Sequence, residues 1–105
     1  MKASRITALF RPDETHPRHS EGAFLRLADG SILFAYSRFA GDANDNAHSE
    51  IAACVSHDEG ETWGETRILF TPEEFDAINV MSVSLMRMQD GDLGLFLIAK
   101  PSAAI

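Results

Sequence analysis

The sequence has 105 residues, a formal net charge of −7 and 45% hydrophobic residues, a composition that suits one small folded domain and excludes a disordered chain. The acidic balance argues against binding to nucleic acids or anionic membranes, because both require a concentrated positive surface. Its single cysteine, Cys54, allows no internal disulfide, so folding does not depend on an oxidising compartment.

The N-terminus has a short apolar stretch, Ile6–Phe10, which Thr7 interrupts. A secretory signal needs about 7–15 apolar residues and a cleavage site of small residues. A membrane span needs about 20 apolar residues. Neither pattern is present, so we expect a cytoplasmic protein.

Short apolar runs separated by turn residues fill the chain, so we expect an all-β fold. The expected strands are Ile6–Phe10, Ala23–Leu27, Ser31–Ser37, Glu50–Ser56, Thr66–Phe70, Ser82–Met88 and Leu93–Ala99. Asp29-Gly30 and Asp90-Gly91 each separate two of these runs and predict hairpin turns, because glycine accepts a positive φ. Thr71 and Pro72 suit the cap and the first position of one short helical turn.

The chain also repeats itself. The segment Arg26–Gly30 returns 61 positions later as Arg87–Gly91, and each copy lies between two apolar strands. Propeller blades typically repeat every 40–50 residues, so a spacing of 61 predicts an inserted loop. We assign that loop to residues 71–80.

The segment Ser56–Trp63 reads SHDEGETW and fits the pattern Ser-x-Asp-x-Gly-x-Thr-Trp at every fixed position. Average composition gives such a match by chance in on the order of one in ten thousand chains or fewer. The segment resembles the Asp box, or BNR repeat, of sialidase-type propeller blades. The matching residues are Ser56, Asp58, Gly60, Thr62 and Trp63. Their expected role is structural, because the aspartate accepts backbone N–H bonds, the glycine takes an unusual φ and the tryptophan packs beneath the loop.

The resemblance implies about one and a half four-stranded antiparallel blades of a six-bladed β-propeller. The first blade then covers residues 18–70, the inserted loop 71–80, and the first two strands of the next blade 81–99. The whole chain, 1–105, is expected to be the N-terminal part of a sialidase-like glycoside hydrolase. We also expect self-association, because unpaired strand edges recruit other chains.

Hairpin geometry brings the start of the first strand, the end of the second strand and the loop after it to one end of a blade. The resemblance places the substrate at this end. The candidate substrate-binding residues are Arg38, Arg18, Glu21, Asn79 and Met81. Arg38 stands where the resemblance implies an arginine that pairs with a sugar carboxylate. Asp45 and Asp42, on the polar loop of residues 41–46, are the candidates for the catalytic acid, which needs a raised pKa.

Other positions depart from the sialidase pattern. Ser20-Glu21-Gly22 stands where the family has Arg-Ile-Pro, and Ser82 stands where it has an aspartate. True sialidase activity is therefore in doubt, unless Arg18 replaces the missing arginine. The single tyrosine, Tyr36, lies inside an apolar strand and is not the nucleophile. We expect this chain alone to be inactive.

The resemblance implies a carbohydrate ligand and no metal or other cofactor. Asp42, Asn44 and Asn46 have the first spacings of a calcium loop, but Ala47 and Ala53 replace its glycine and its bidentate glutamate. Two alternatives to a hydrolase remain open. One is a non-catalytic glycan-binding or structural Asp-box propeller, and the other is a small oligomerising β protein.

Overall fold

A computed structural model describes residues 6–101 of the chain as two antiparallel sheets. The strands are β1 (Arg18–Arg26), β2 (Ile32–Ala40), β3 (His48–Ser56), β4 (Arg67–Phe70), β5 (Ala77–Arg87) and β6 (Leu93–Pro101), with a short 3-10 helix at Pro72–Phe75. The first sheet has the order β1-β2-β3-β4 and the second is the hairpin β5-β6. The expected all-β fold is confirmed.

Two expectations for the elements were wrong. Residues 6–10 form no strand; instead the Phe10 ring lies 4.8 Å from the Tyr36 ring, so this segment is held by aromatic packing rather than by backbone pairing. The strand expected at Ser82 begins at Ala77, because Asn79 and Val80 are already buried against the first sheet. The segment between β4 and β5 is therefore shorter than the inserted loop that we expected at 71–80.

The hydrophobic core lies between the two sheets. Side chains alternate along a strand, so each sheet has two faces. The core face of the first sheet contributes Ala35, Ile51 and Ala53, and the core face of the second sheet contributes Val80 and Val83. The residues packed around them are Leu33, Phe70, Leu85, Leu95 and Leu97.

The other face of the first sheet, here the outer face, is aromatic. The Phe34 ring lies 4.6 Å from Phe24, 5.4 Å from Tyr36 and 6.2 Å from Trp63. Phe10 covers this face at the Tyr36 side. Phe24, at the other side, is 63% exposed.

The two hairpins β1-β2 and β5-β6 share one register when 61 is added to each residue number. The equivalent pairs are Arg26↔Ile32 and Arg87↔Leu93, Leu25↔Leu33 and Met86↔Gly94, Ala23↔Ala35 and Ser84↔Phe96, Ser20↔Ser37 and Met81↔Ile98. Both hairpins also have a register irregularity at the same place, directly after Ser20 and after Met81, and β5 has a second one between Ala77 and Asn79. The repeat seen in five residues of sequence therefore extends over two whole strands.

The two hairpin turns are built alike. Asp29 Oδ1 accepts a hydrogen bond from the backbone N–H of Ser31 at 2.9 Å, and Asp90 Oδ1 accepts the equivalent bond from Asp92 at 2.9 Å. The glycines that follow these aspartates have φ values of 90° and 93°. Both predicted Asp-Gly turns are confirmed. No helix within residues 6–101 is long and apolar enough to span a membrane.

Candidate functional site

The start of β1, the loop between β2 and β3, and the first half of β5 meet at one end of the two sheets. We call this region the polar end and define it by Arg18, Glu21, Asp45, Asn79 and Ser82. The sequence predicted four of these five residues as site residues. The structure brings those four together.

Arg18 is the centre of the polar end. Its Nη1 lies 2.6 Å from Asp45 Oδ1 and donates to the backbone carbonyl of Ala43 at 3.1 Å. Its Nη2 lies 3.5 Å from Glu21 Oε1. The guanidinium carbon lies 4.3 Å from the centre of the Phe39 ring, a cation–π contact. The arginine is therefore fixed at a position where two acidic side chains face it.

The charge state of Asp45 follows from this contact. The hydrogen bond and the charge of Arg18 hold the pKa of the Asp45 carboxyl below its ordinary value. A general acid needs the opposite shift, so Asp45 is ionised in this arrangement and suits hydrogen-bond acceptance. The Asp42 carboxylate accepts backbone N–H bonds from Ala43 and Asn44 at 2.6 and 3.2 Å and thereby shapes the loop. The catalytic role of either aspartate stays a prediction.

Asn79 is fully buried and holds the loop from beneath. Its Nδ2 donates to the carbonyl oxygens of Asp45 and Ala47 at 2.8 and 2.9 Å. Lys100 Nζ adds a third bond, also to the Asp45 carbonyl, at 2.8 Å. Within residues 6–101 the Asn79 Oδ1 atom has no hydrogen-bond partner. These contacts make Asn79 a positioning residue for the loop that carries Asp45.

Ser82 links the two sheets at the polar end. Its hydroxyl donates to Glu21 Oε2 at 3.0 Å, and its backbone N–H donates to Ser37 Oγ at 3.1 Å. Sequence reasoning placed Ser82 at this end of the blade and noted it as a departure from the sialidase pattern, but gave it no role in the site. A signal was present in the sequence, because Ser82 and Glu21 stand 61 positions apart, like the two hairpin turns. This spacing makes them equivalent residues of the repeat, and the structure shows that they are also in contact.

Arg38 lies on the other side of the first sheet. Arg18 lies directly opposite Phe39, so these two side chains share one face of the sheet. Arg38 precedes Phe39 on β2 and therefore lies on the opposite face from Arg18, because successive side chains alternate. The Nε and Nη2 atoms of Arg38 donate to Glu50 Oε1 at 3.2 and 2.9 Å, and both side chains are largely buried. Met81 is also buried. The substrate-binding roles of Arg38 and Met81 stay predictions.

The segment Ser56–Trp63 forms a closed turn at the end of the first sheet opposite the polar end. Asp58 Oδ1 accepts bonds from the Thr62 backbone N–H and from Ser56 Oγ, both at 2.8 Å, and Asp58 Oδ2 accepts from Thr62 Oγ1 at 2.5 Å. The Gly60 N–H donates to Ser56 Oγ at 2.8 Å. The pKa of the Asp58 carboxyl is lowered, chiefly because the Thr62 hydroxyl donates a hydrogen bond to it. The charge of the Asp58 carboxylate is therefore used inside the turn.

No group of three or more histidine, cysteine, aspartate or glutamate side chains among residues 6–101 has the geometry to hold a metal ion. A scan of the sequence against protein-family models finds no match, and a search among curated proteins finds none either.

Proposed function

We propose that residues 18–101 form one blade and the first hairpin of the next blade in an Asp-box β-propeller of the sialidase type. We further propose that the polar end binds a carbohydrate, namely sialic acid or a related acidic sugar. The observation that carries the fold proposal is the common register, bulge and turn of two hairpins 61 residues apart. The internal hydrogen bonds of the Ser56–Trp63 turn support it independently.

The residues of the polar end have the chemistry that an acidic sugar requires. A guanidinium such as that of Arg18 binds a carboxylate through paired hydrogen bonds. The carboxylates of Asp45 and Glu21 stand beside it and accept hydrogen bonds from sugar hydroxyls. Because the sugar carboxylate competes with Asp45 for Arg18, we expect a weak complex, with a Kd in about the millimolar range.

Catalysis belongs, by resemblance, to a larger retaining glycoside hydrolase that needs no metal. Such a reaction requires a nucleophile, an acid and cationic groups held in one pocket. The single tyrosine, Tyr36, is buried on the outer face against Phe10, away from Asp45. We therefore expect no turnover by the 105-residue chain alone.

A non-catalytic glycan-binding propeller is the second candidate function. The ion pair between Arg18 and Asp45 favours it, because a carboxyl with a lowered pKa is a poor proton donor. The same polar end then serves recognition only.

A fluorogenic sialoside assay combined with calorimetric titration of sialic acid tests the proposal. We expect no turnover, and binding that weakens at least fivefold in Arg18→Gln. The control Arg67→Gln removes an arginine on β4 that forms no ion pair with another described residue, and it should bind like the wild type. Arg38→Gln should also bind like the wild type if the ligand lies on the Arg18 side.

Two results would contradict parts of the proposal. Turnover that Asp45→Asn abolishes would show that the chain builds a complete catalytic site. Binding that is equal in the wild type and in Arg18→Gln, but lost in Arg38→Gln, would move the ligand to the outer face.

A further inference from the structure

The packing of the two sheets joins faces that are not equivalent in the repeat. Leu95 and Leu97 lie on the core face of the second sheet, and their equivalents are Phe34 and Tyr36 on the outer face of the first. Ala35 lies on the core face of the first sheet, and its equivalent is Phe96, an exposed residue on the other side of β6. The two sheets therefore stack head to tail. The core face of the first sheet packs against the face of the second sheet that is equivalent to the first sheet's outer face.

Among residues 6–101, this stacking leaves one apolar face of each sheet wholly or partly exposed. On the second sheet, the side away from the core, here the far face, has Met86, Phe96 and Ile98, which are 49%, 53% and 54% exposed. On the first sheet the outer face has Phe24, 63% exposed, beside Phe34. Contiguous exposed apolar residues of this kind mark interaction surfaces. The far face is the equivalent of the first sheet's core face, and the outer face is the equivalent of the second sheet's core face. These two exposed faces therefore match the pair of faces that packs together inside the chain.

We propose that a second copy of this chain places its outer face on the far face of the second sheet and repeats the packing found inside the chain. A second copy is the fitting occupant because its outer face is the equivalent of the surface that already covers Ala35 within one chain. Such a contact is heterologous, so each copy still has one free face, and the assembly grows or closes into a ring.

The N-terminal segment competes with this contact. Phe10 packs against Tyr36, and the Trp63 indole N–H donates to Thr7 Oγ1 at 3.2 Å, so residues 7–10 lie across part of the outer face. A second copy has to displace them. The inference does not depend on carbohydrate binding, since Phe24 and Phe96 lie outside the polar end.

A mixing experiment distinguishes head-to-tail packing from other kinds of association. Light scattering of the wild-type chain at micromolar concentration should show a dimer or larger species. Phe96→Glu spoils only the far face and Phe24→Glu only the outer face, so each variant alone should be monomeric. An equimolar mixture should form a 1:1 heterodimer and nothing larger, because it contains one intact face of each kind.

The matched control is Phe75→Glu, which makes the same change at a residue 45% exposed on the 3-10 helix, away from both faces. It should associate like the wild type. Circular dichroism checks the fold, and Phe24→Ser and Phe96→Ser replace a glutamate variant that fails to fold. A monomeric wild type would overturn the proposal. So would association that neither substitution changes, which would indicate pairing of the β6 edges instead.

Discussion

The Ser82 hydroxyl donates a hydrogen bond to Glu21 Oε2 at 3.0 Å, and the two residues occupy equivalent positions 61 residues apart. Both have a left-handed backbone, with φ values of 39° for Glu21 and 57° for Ser82. At the other end of the same strands, Arg87 Nη2 donates to the carbonyl oxygen of Arg26, again 61 residues away. Strands β1 and β5 are thus equivalent members of a repeat that lie side by side, as neighbours in an array of repeats do.

Gly22 is predicted to be essential for packing on the outer face. A Cβ atom added there would lie 2.6 Å from Phe34 Cζ, much closer than van der Waals contact. We therefore expect Gly22→Ala to lower the free energy of unfolding by about 1–3 kcal/mol, the usual cost of overpacking. Urea denaturation measures it. Gly64→Ala is the control, since its added Cβ would stand 3.5 Å from the nearest atom, and equal losses in both variants would contradict the prediction.

Asn79 is predicted to be needed for the loop that carries Asp45. Asn79→Ala leaves the carbonyl oxygens of Asp45 and Ala47 without their buried donor, at a cost of about 1–3 kcal/mol in stability. Asn79→Asp should cost more, because a carboxylate would face the same two oxygens. Gln89→Ala, at the exposed second hairpin turn, is the control. A stable Asn79→Asp variant would show that the asparagine does not anchor the loop.

Asp58 is predicted to stabilise its turn without taking part in binding. Asp58→Ala removes the acceptor of the Thr62 N–H and hydroxyl, so we expect Tm to fall by about 5 °C. Glu65→Ala, an exposed acid just beyond the same turn, should leave Tm unchanged. Differential scanning calorimetry makes the comparison. An Asp58→Ala chain as stable as the wild type would count against the Asp-box interpretation of this segment.

The same carboxylate predicts a pH dependence. The hydrogen bonds from Thr62 and Ser56 hold the pKa of the folded Asp58 carboxyl below its ordinary value of 3.8, so the unfolded chain binds the proton first as pH falls. Its stabilisation is therefore fully present above pH 3.8 and is lost as pH falls through the folded pKa. The Tm difference between the wild type and Asp58→Asn should be largest near neutral pH and should shrink in acid. A difference that stays constant down to acid unfolding would contradict this.

Sequence reasoning located six strands and both hairpin turns because their signals are local. Apolar runs and Asp-Gly pairs specify a strand and its turn without help from the rest of the chain. Residues 6–10 failed the same reasoning, because an apolar run can also be buried by packing across the face of a sheet instead of pairing with a strand edge. Here the outer face offered aromatic rings, and Phe10 packed on them.

The sequence could predict at which end of the sheet the candidate site residues lie, but not on which face of the sheet each of them lies. Strand direction sends Arg18 and Arg38 to one end, and the sequence gives that correctly. The side that Arg18 takes depends on the bulge at Glu21, where the register shifts by one residue. Glu50, the partner of Arg38, and the buried position of Asn79 likewise depend on pairing between distant strands, which no local pattern reveals.

The most direct test of the central claim is a ¹H–¹⁵N NMR titration of the 105-residue chain with sialic acid. If the polar end is the carbohydrate site, the amide signals of Arg18, Glu21, Asp45 and Ser82 should shift saturably. These shifts should be weaker in Arg18→Gln, and the amide signals of Gly30 and Asp58 should not move. Shifts centred on Gly30 and Asp58, or no saturable shift at millimolar sugar, would contradict it.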